Sequence, residues 1–593
     1  MTVRLDWGDD SRADGLGVDG RFAVWAPGIG SVAVVVDGTQ HPMSRGEGGW
    51  WHARVDGAGH GTAYAYALDG ADPLPDPRSR WQPDGVHAAS RVWDPASSRI
   101  PDEGWTGRGL PGAVIYELHV GTFTPGGTFD SAVERLDHLV DLGITHVEVL
   151  PVNAFDGTRG WGYDGVLWFA VTENYGGPDG FRRFVAACHE RGLAVVLDAV
   201  YNHLGPSGAY LDRFGPYFGG SNDWGAALNL DGPGSDTVRA YILENLAMWF
   251  TDFAVDALRL DAVHALRDAR ATHLLEEMAT TADSLAAFLG RPCVLIAESD
   301  LNDPRLVTPR EAGGYGLDAQ WCDDIHHALH STLTGETQGY YIDFGELETL
   351  AHVLGEAYVH AGTWSTFRDR THGRPVDLAR TPGYRFLAYL QDHDQVGNRA
   401  AGDRLSASVS PELLACGAAL VLCSPFTPML FMGEEWGAST PWAFFVGFDD
   451  PGLAEAVRTG RRAEFAAHGW GAADVPDPTD VATFERSRLD WSEPEEGQHA
   501  WLLEVYRSLI ALRRTEPELA DPRLDRVRCD ADPGSRTLVL HRGNLRLVVN
   551  LAPTERTVVV DGAHSCLAAP LGAGVSEGAV TLPPESFALV RVG

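Results

Sequence analysis

Three acidic side chains, each closing an apolar run of strand length, are the residues of this chain best suited to chemistry. They are Asp261 after Leu258-Arg-Leu, Glu298 after Leu295-Ile-Ala, and Asp394 in Gln391-Asp-His-Asp. A fourth segment of the same kind, Asp198-Ala-Val-Tyr-Asn-His203, precedes them. An Asp after an apolar run is, taken alone, usually a turn or a helix cap. Four such endings in this order, with helix-length stretches between them, predict carboxylates gathered on one face of a barrel. Arg259 and Asp261 are two apart on a strand, so their side chains share a side. A guanidinium beside a carboxylate favours the ionised form that a nucleophile needs, although the same pair also makes a structural ion pair. Glu298 follows Val-Leu-Ile-Ala, and an apolar surround raises a carboxyl pKa, as a general acid requires. Neighbouring strands lie ~5 Å apart, which fits the ~5–5.5 Å between the two carboxyls that cleave a glycosidic bond with retention.

Further groups border these three. His393-Asp394 ends the seventh apolar run, where a third carboxylate can bind sugar hydroxyls and stabilise an oxocarbenium-like transition state. His203 is placed to donate to a sugar hydroxyl, and Asp198 to orient Arg259; each is equally a hydrogen-bonded core residue. Trp161 and Tyr163, in Gly160-Trp-Gly-Tyr-Asp-Gly165, offer faces for stacking on a pyranose ring or else fill a glycine-rich turn. Asp323, Asp324, His326 and His327 follow the sixth run and are read as substrate contacts, with helix capping as the competing account. Glu434-Glu435-Trp436, after the eighth, fixes loop structure.

The elements that must position these groups follow from periodicity. Residues 21–68 alternate apolar and polar between Gly/Pro turns and read as a small β-sandwich, followed by a Pro- and Asp-rich link over 72–112. Eight apolar strands then open at Val114, Thr145, Ala194, Val255, Cys293, Leu317, Phe386 and Pro428. Helices are predicted over 131–142, 180–191, 235–253, 273–289 and 501–514. Eight β/α units imply a closed parallel barrel with its site at the strand C-terminal ends. Short strands return at Thr537, Leu545, Thr557 and Phe587. The predicted fold is therefore α/β: a (β/α)8 barrel (106–520) between an N-terminal β-sandwich (1–105) and a C-terminal antiparallel β domain (521–593).

Composition narrows the partners. The net charge of −36 repels nucleic acid and anionic membrane surfaces alike. There is no lysine, which excludes Schiff-base chemistry and a phosphate-loop lysine. Seven scattered cysteines with no CxxC pair predict free thiols in a reducing compartment rather than zinc. The opening Met-Thr-Val-Arg-Leu-Asp-Trp carries no apolar signal core. The uncharged stretch 413–433 is interrupted by Pro425 and Pro428, so it reads as a buried helix and strand rather than a membrane span. A cytoplasmic protein is expected.

The four segments resemble the signature motifs of the α-amylase family of glycoside hydrolases, in their usual order. Asp198 and His203 match the first, Arg259, Asp261 and His264 the second, Glu298 the third, and His393-Asp394 the fourth. The resemblance implies Asp261 as nucleophile, Glu298 as acid/base and Asp394 as transition-state stabiliser. Within the family, Val114-Ile-Tyr-Glu-Leu-His-Val-Gly-Thr-Phe-Thr124, Pro151-Val-Asn-Ala-Phe155, Trp321-Cys-Asp-Asp-Ile-His-His327, His393-Asp-Gln-Val-Gly-Asn-Arg399 and Leu430-Phe-Met-Gly-Glu-Glu-Trp436 are similar to members acting on maltooligosyltrehalose. Those members cleave the α-1,4 bond next to the terminal trehalosyl unit, on substrate made by a partner synthase. By the same resemblance Gln395 and Asn398 are substrate contacts, and neither a cofactor nor a metal is expected. Asn202 and His264 match calcium-ligand positions of many amylases without the rest of that site. Asp392 departs from the Asn expected there, either raising a neighbour's pKa or turning away as a cap. Residues 460–465 and 337–381 are candidates for selecting trehalose. The competing functions are glucan branching on the same carboxylates and non-catalytic glucan binding.

Overall fold

The computed structural model describes residues 17–98, 104–222, 224–467, 475–576 and 578–593. The N-terminal residues 1–7 and part of the 72–112 link, both read above, lie outside them.

Eight parallel strands close into a barrel: Ile115–Leu118, His146–Val149, Ala194–Ala199, Ala257–Leu260, Val294–Ala297, Ala319–Trp321, Phe386–Tyr389 and Thr427–Phe431, here barrel strands 1 to 8. Strand 8 returns to strand 1 with Phe431 opposite Glu117. Because side chains alternate along a strand, every second residue points into the barrel, and the sequence divides that interior into two halves. Apart from His146 on strand 2, the lower half is largely apolar: Ile115, Val196, Ala257, Val294, Ile296, Ala319, Leu387 and Met429 form one buried cluster. The inward residue toward the C-terminal end of strands 1 to 4 is charged: Glu117, Glu148, Asp198 and Arg259. The register sets Glu117 beside Glu148 and Asp198 beside Arg259.

Helices Gly177–Glu190, Ser235–Thr251, Leu274–Leu289 and Gly497–Thr515 surround the barrel where periodicity placed them. The helix expected over 131–142 is two, Phe129–Val133 and Leu136–Leu142. A capping box between Thr128 and Ser131 starts the first, and Arg135 at the break lies 4.5 Å over the Trp491 ring. The apolar stretch 413–433 is the helix Pro411–Leu422, capped by Ser410, followed by barrel strand 8. No helix among the described residues is long and apolar enough to cross a membrane.

The N-terminal module pairs a three-stranded sheet with a four-stranded sheet (Thr39–Pro42, Val32–Val36, Ala63–Leu68, Ser90–Arg91). Arg78 ties it to the barrel by bonding Glu244 (2.9 Å) and lying 4.9 Å over the Tyr241 ring. The C-terminal module has one antiparallel sheet of five strands and one of three. Ser410 bonds its Glu585 (2.7 Å), and its Arg591 bonds Glu516 (2.7 Å).

Arg513, buried on the last barrel helix, braces the turn into strand 8. Its guanidinium donates to the carbonyls of Leu422 (2.8 Å) and Ser424 (2.7 Å) and also to that of Phe426. A helix C-terminus otherwise leaves such carbonyls unmet. Arg513→Met should therefore lower unfolding stability by roughly 3–5 kcal/mol, at the value of charge-assisted bonds lost from a buried site. Denaturant titration followed by circular dichroism measures this; an unchanged midpoint would mean that the brace bears no load.

Candidate active site

The site is organised by one buried guanidinium. Arg259, pointing inward from strand 4, donates Nη1 to Asp198 on strand 3 (3.0 and 2.8 Å) and to Asp261 Oδ1 (2.6 Å). Its Nη2 lies 3.7 Å from Glu298 Oε2, and its plane sits 4.4 Å over the Trp321 ring. One cation thus touches carboxylates from strands 3, 4 and 5. Asp261 is held at both oxygens, since Asn202 Nδ2 donates to Oδ2 (2.5 Å) as well as to the Asp261 carbonyl (3.0 Å). Glu298 Oε2 accepts the amide of Ala262 (2.7 Å), which is presented by a left-handed backbone at φ 40° and ψ 52°. Burial, reinforced by the Asp261 and Asp323 charges and opposed by Arg259 and the Ala262 amide, raises the Glu298 pKa to about 8. Burial likewise lifts Asp198 to about 6, although Arg259 pulls it down.

The other wall comes from strand 7. Asp392 accepts the Gln395 amide (2.7 Å) and caps the short helix His393–Gly397, so the unexpected acid is turned to a capping role. His393 behind it is fully buried and lies 3.6 Å through Nε2 from Asp394 Oδ2. The Asp394 side chain is 46% exposed and open to the mouth, steadied by Asn398 Nδ2 (3.2 Å). Tyr163 stacks on the His393 ring (centroids 5.2 Å apart) while its hydroxyl donates to Asp198 (2.5 Å). Gln395 lines a small internal cavity with His330 and Arg399 behind the helix.

The remaining expected contacts divide by where their elements point. Trp161 is buried, stacked on Trp442 at 5.2 Å with its indole N–H on the Ala443 carbonyl (3.1 Å); its ring fills the turn. His203 engages the Tyr163 carbonyl through Nε2 (2.9 Å) and Asn202 through Nδ1, so it orders the residue that holds Asp261. His264 sits beside the half-exposed Trp224 (rings 5.8 Å apart) with a buried Nδ1 that has no hydrogen-bond partner among the described residues. Asp323, half-buried, bonds the Tyr389 hydroxyl, and its charge reaches Glu298. Asp324, His326 and His327 depart from the rim expectation. Asp324 turns under it to take the amides of Val359 (2.7 Å) and His360 (3.3 Å), and His326 bonds the Leu390 carbonyl (2.9 Å) and Tyr341 (3.2 Å). His327 packs among Tyr340, Tyr341 and Phe344. Successive helical residues rotate ~100°, so a run beginning at the mouth at Asp323 buries those that follow. Glu435 accepts from Tyr116 (3.1 Å) and contacts His138 (2.8 Å), and Glu434 accepts from Tyr506 (2.9 Å), within the structural network read for that loop.

Three partnerships that matter here escaped the sequence reading. Asn202 holds Asp261 by its amide nitrogen, while its Oδ1 faces His203 Nδ1. Among the described residues no group of three or more His, Cys, Asp or Glu is placed to hold a metal ion. Glu117 bonds His393 twice. Glu148, beside it, is buried with neither carboxyl oxygen hydrogen-bonded, and burial and the Glu117 charge push its pKa up. Both acids lie inside apolar strand sequences, where only the period-two position marks them as inward.

Comparison with known proteins places this geometry. Residues 82–217 match the alpha amylase catalytic domain, 12–85 match carbohydrate-binding module 48 (isoamylase N-terminal domain), and 522–589 match a domain of unknown function. The chain is 60% identical to the malto-oligosyltrehalose trehalohydrolase of Arthrobacter ramosus, covering 90% of this chain and 93% of that one. It is 55% identical to that of Mycobacterium tuberculosis, covering 91% and 94%. A crystal structure of an alpha amylase candidate from Salmonella typhimurium superposes with a TM-score of 0.88 at 38% identity, over 97% of both chains. A 1,4-alpha-glucan branching enzyme of Pseudoalteromonas atlantica is more distant, at 28% identity over 71% of this chain and 61% of that one. With these motifs on a closed barrel and that identity across nearly its whole length, the chain belongs to the malto-oligosyltrehalose trehalohydrolase family of α-amylase-type glycoside hydrolases.

Proposed function

We propose that this enzyme hydrolyses, with retention, the α-1,4-glucosidic bond next to the terminal trehalosyl unit of maltooligosyltrehaloses, releasing trehalose and a maltooligosaccharide. The observation that carries the reading is the meeting of Asp261, Glu298 and Asp394 at one mouth of the barrel, two of them on a single guanidinium. Asp261, anchored at both oxygens, attacks the anomeric carbon of the sugar preceding trehalose. Glu298, protonated at neutral pH by its raised pKa, gives its proton to the departing trehalose oxygen. Asp394 holds sugar hydroxyls as positive charge develops on the ring. Glu298 then takes a proton from water, which displaces the Asp261 ester at the same carbon and restores both carboxyls.

Of the side chains at the mouth, Tyr163, Asp323 and Asn398 retain open surface for substrate contact. Trehalose selection falls to the hairpin of Thr363–Ser365 and Arg370–His372, which Arg368 fastens to Asp300 after strand 5 (2.9 Å), and to helix Pro451–Ala467, whose Arg461 donates to the Gly397 carbonyl (2.7 Å). The substrate implies an upstream synthase that isomerises the reducing end of a maltooligosaccharide. Seven free cysteines suit a reducing, cytoplasmic setting.

Incubation with maltotriosyltrehalose, resolved by chromatography, should give trehalose plus maltotriose. Redistribution of chain lengths without new reducing ends would favour branching instead. Asp261→Asn should abolish turnover with the fold intact, and substantial residual turnover in a clean preparation would remove Asp261 as nucleophile. Since the acid works protonated, kcat/KM on natural substrate should decline as pH rises through about 8. Glu298→Gln should lose that decline and spare activated aryl glucosides, so equal losses on both substrate types would argue against an acid role.

A further inference from the structure

Glu117, on barrel strand 1, takes no step in the reaction above, yet both of its carboxylate oxygens engage one residue. Oε1 lies 2.6 Å from His393 Nδ1, and Oε2 accepts the His393 backbone N–H at 3.0 Å. We propose that Glu117 is a positioning residue for hydrolysis: it fixes His393 as a doubly protonated ring, which through Tyr163 and Asp198 orients the guanidinium that holds Asp261. This rests on the reading of Asp261 as nucleophile.

The protonation follows from counting donors. Asp198 accepts Arg259 Nη1 at both oxygens, so it is an ionised acceptor and the 2.5 Å contact with Tyr163 spends the tyrosine's one proton. The Tyr163 oxygen can then only accept from His393 Nε2, 2.7 Å away. Nδ1 faces an oxygen of Glu117 on the other side of the ring. With the hydrogen of the Oε1–Nδ1 contact placed on the ring, both ring nitrogens carry hydrogen and His393 is a cation against the Glu117 carboxylate. The chain runs from Glu117 through His393, Tyr163, Asp198 and Arg259 to Asp261.

The surroundings support that state. Burial opposes charge on His393, but Glu117 and Asp394 outweigh it and raise the pKa to about 10. Arg259, across the barrel, opposes the charge too. His119, beside the ring, is held neutral by burial with its pKa lowered to about 3. Glu148 on strand 2 and Asp392 next in sequence are buried with raised pKa values, so neither competes with Glu117 as the counter-ion. With the Glu117 charge removed in Glu117→Gln, the amide oxygen still takes the His393 backbone N–H and the NH2 faces Nδ1, so the ring is neutral with its hydrogen on Nε2. The bond from Nε2 to Tyr163 then loses its charge assistance, and the Tyr163–Asp198 anchor of Arg259 loosens.

The test reads the ring directly. Wild type and Glu117→Gln are labelled with 13C,15N-histidine, and the His393 signals are assigned by their loss in His393→Asn. At pH 7.5 the wild-type ring should show both nitrogens protonated, and the Glu117→Gln ring only one. On maltotriosyltrehalose, Glu117→Gln should lower kcat by about 10²-fold, the scale of a small misplacement of reacting groups, with KM nearly unchanged. Glu117→Asp should recover part of the loss. A neutral His393 in wild type overturns the proposal whether or not the variant folds. So does a folded Glu117→Gln that keeps the wild-type kcat or loses only KM. If wild type releases no trehalose, the functional reading fails by itself, because the ring's protonation is measured without substrate.

Discussion

A guanidinium enclosed by a barrel has to be neutralised where it stands, and much of this site follows from that requirement. Arg259 is shut off from water, and a cation in such a place is tolerated only when anions and acceptors surround it. Asp198 and Asp261 bond it directly, Glu298 stands within reach, and Trp321 covers its face. Arginine suits the position better than lysine, because a planar fork can address carboxylates on both flanks while stacking on an aromatic ring. The same cation that stabilises an attacking carboxylate also works against the raised pKa of the acid, and burial prevails at Glu298. Two carboxyls within reach of one guanidinium thereby acquire different characters from their surroundings.

The rest of the barrel supports this arrangement from below. Apolar side chains fill the lower interior, so strand closure rests on ordinary packing and leaves the upper inward positions free for polar groups. Those positions are not all satisfied. Glu148 is buried with no hydrogen-bond partner for either carboxyl oxygen among the described residues, and Arg259 leaves its Nε and Nη2 without one. Unmet polar groups of this kind cost stability.

The fold was legible because it is written in local patterns. Eight apolar runs of strand length, separated by helical stretches, admit few architectures other than the barrel. The chemistry-bearing residues were legible where a polar residue ends an apolar run, as at Asp261, Glu298 and Asp394. What escaped was partnership. Glu117 reads as one more residue in Ile-Tyr-Glu-Leu until strand 8 closes the cylinder and brings the chain after strand 7 across it. Asn202 resembled a metal ligand because nothing local reveals that its amide nitrogen faces Asp261. Asp324 and His326 looked like rim residues by position alone, and helical rotation takes them inside. The break at Arg135 depends on a ring more than three hundred residues away in sequence, at Trp491.

Ala262 carries a consequence of another kind. A residue with a β-carbon held at φ 40° is strained by roughly 1 kcal/mol relative to glycine. Glycine would relax there at no steric cost, but it would also widen the conformations open to the amide that grips Glu298. Selection for heat resistance and selection for a sharply placed proton donor therefore pull this position in opposite directions.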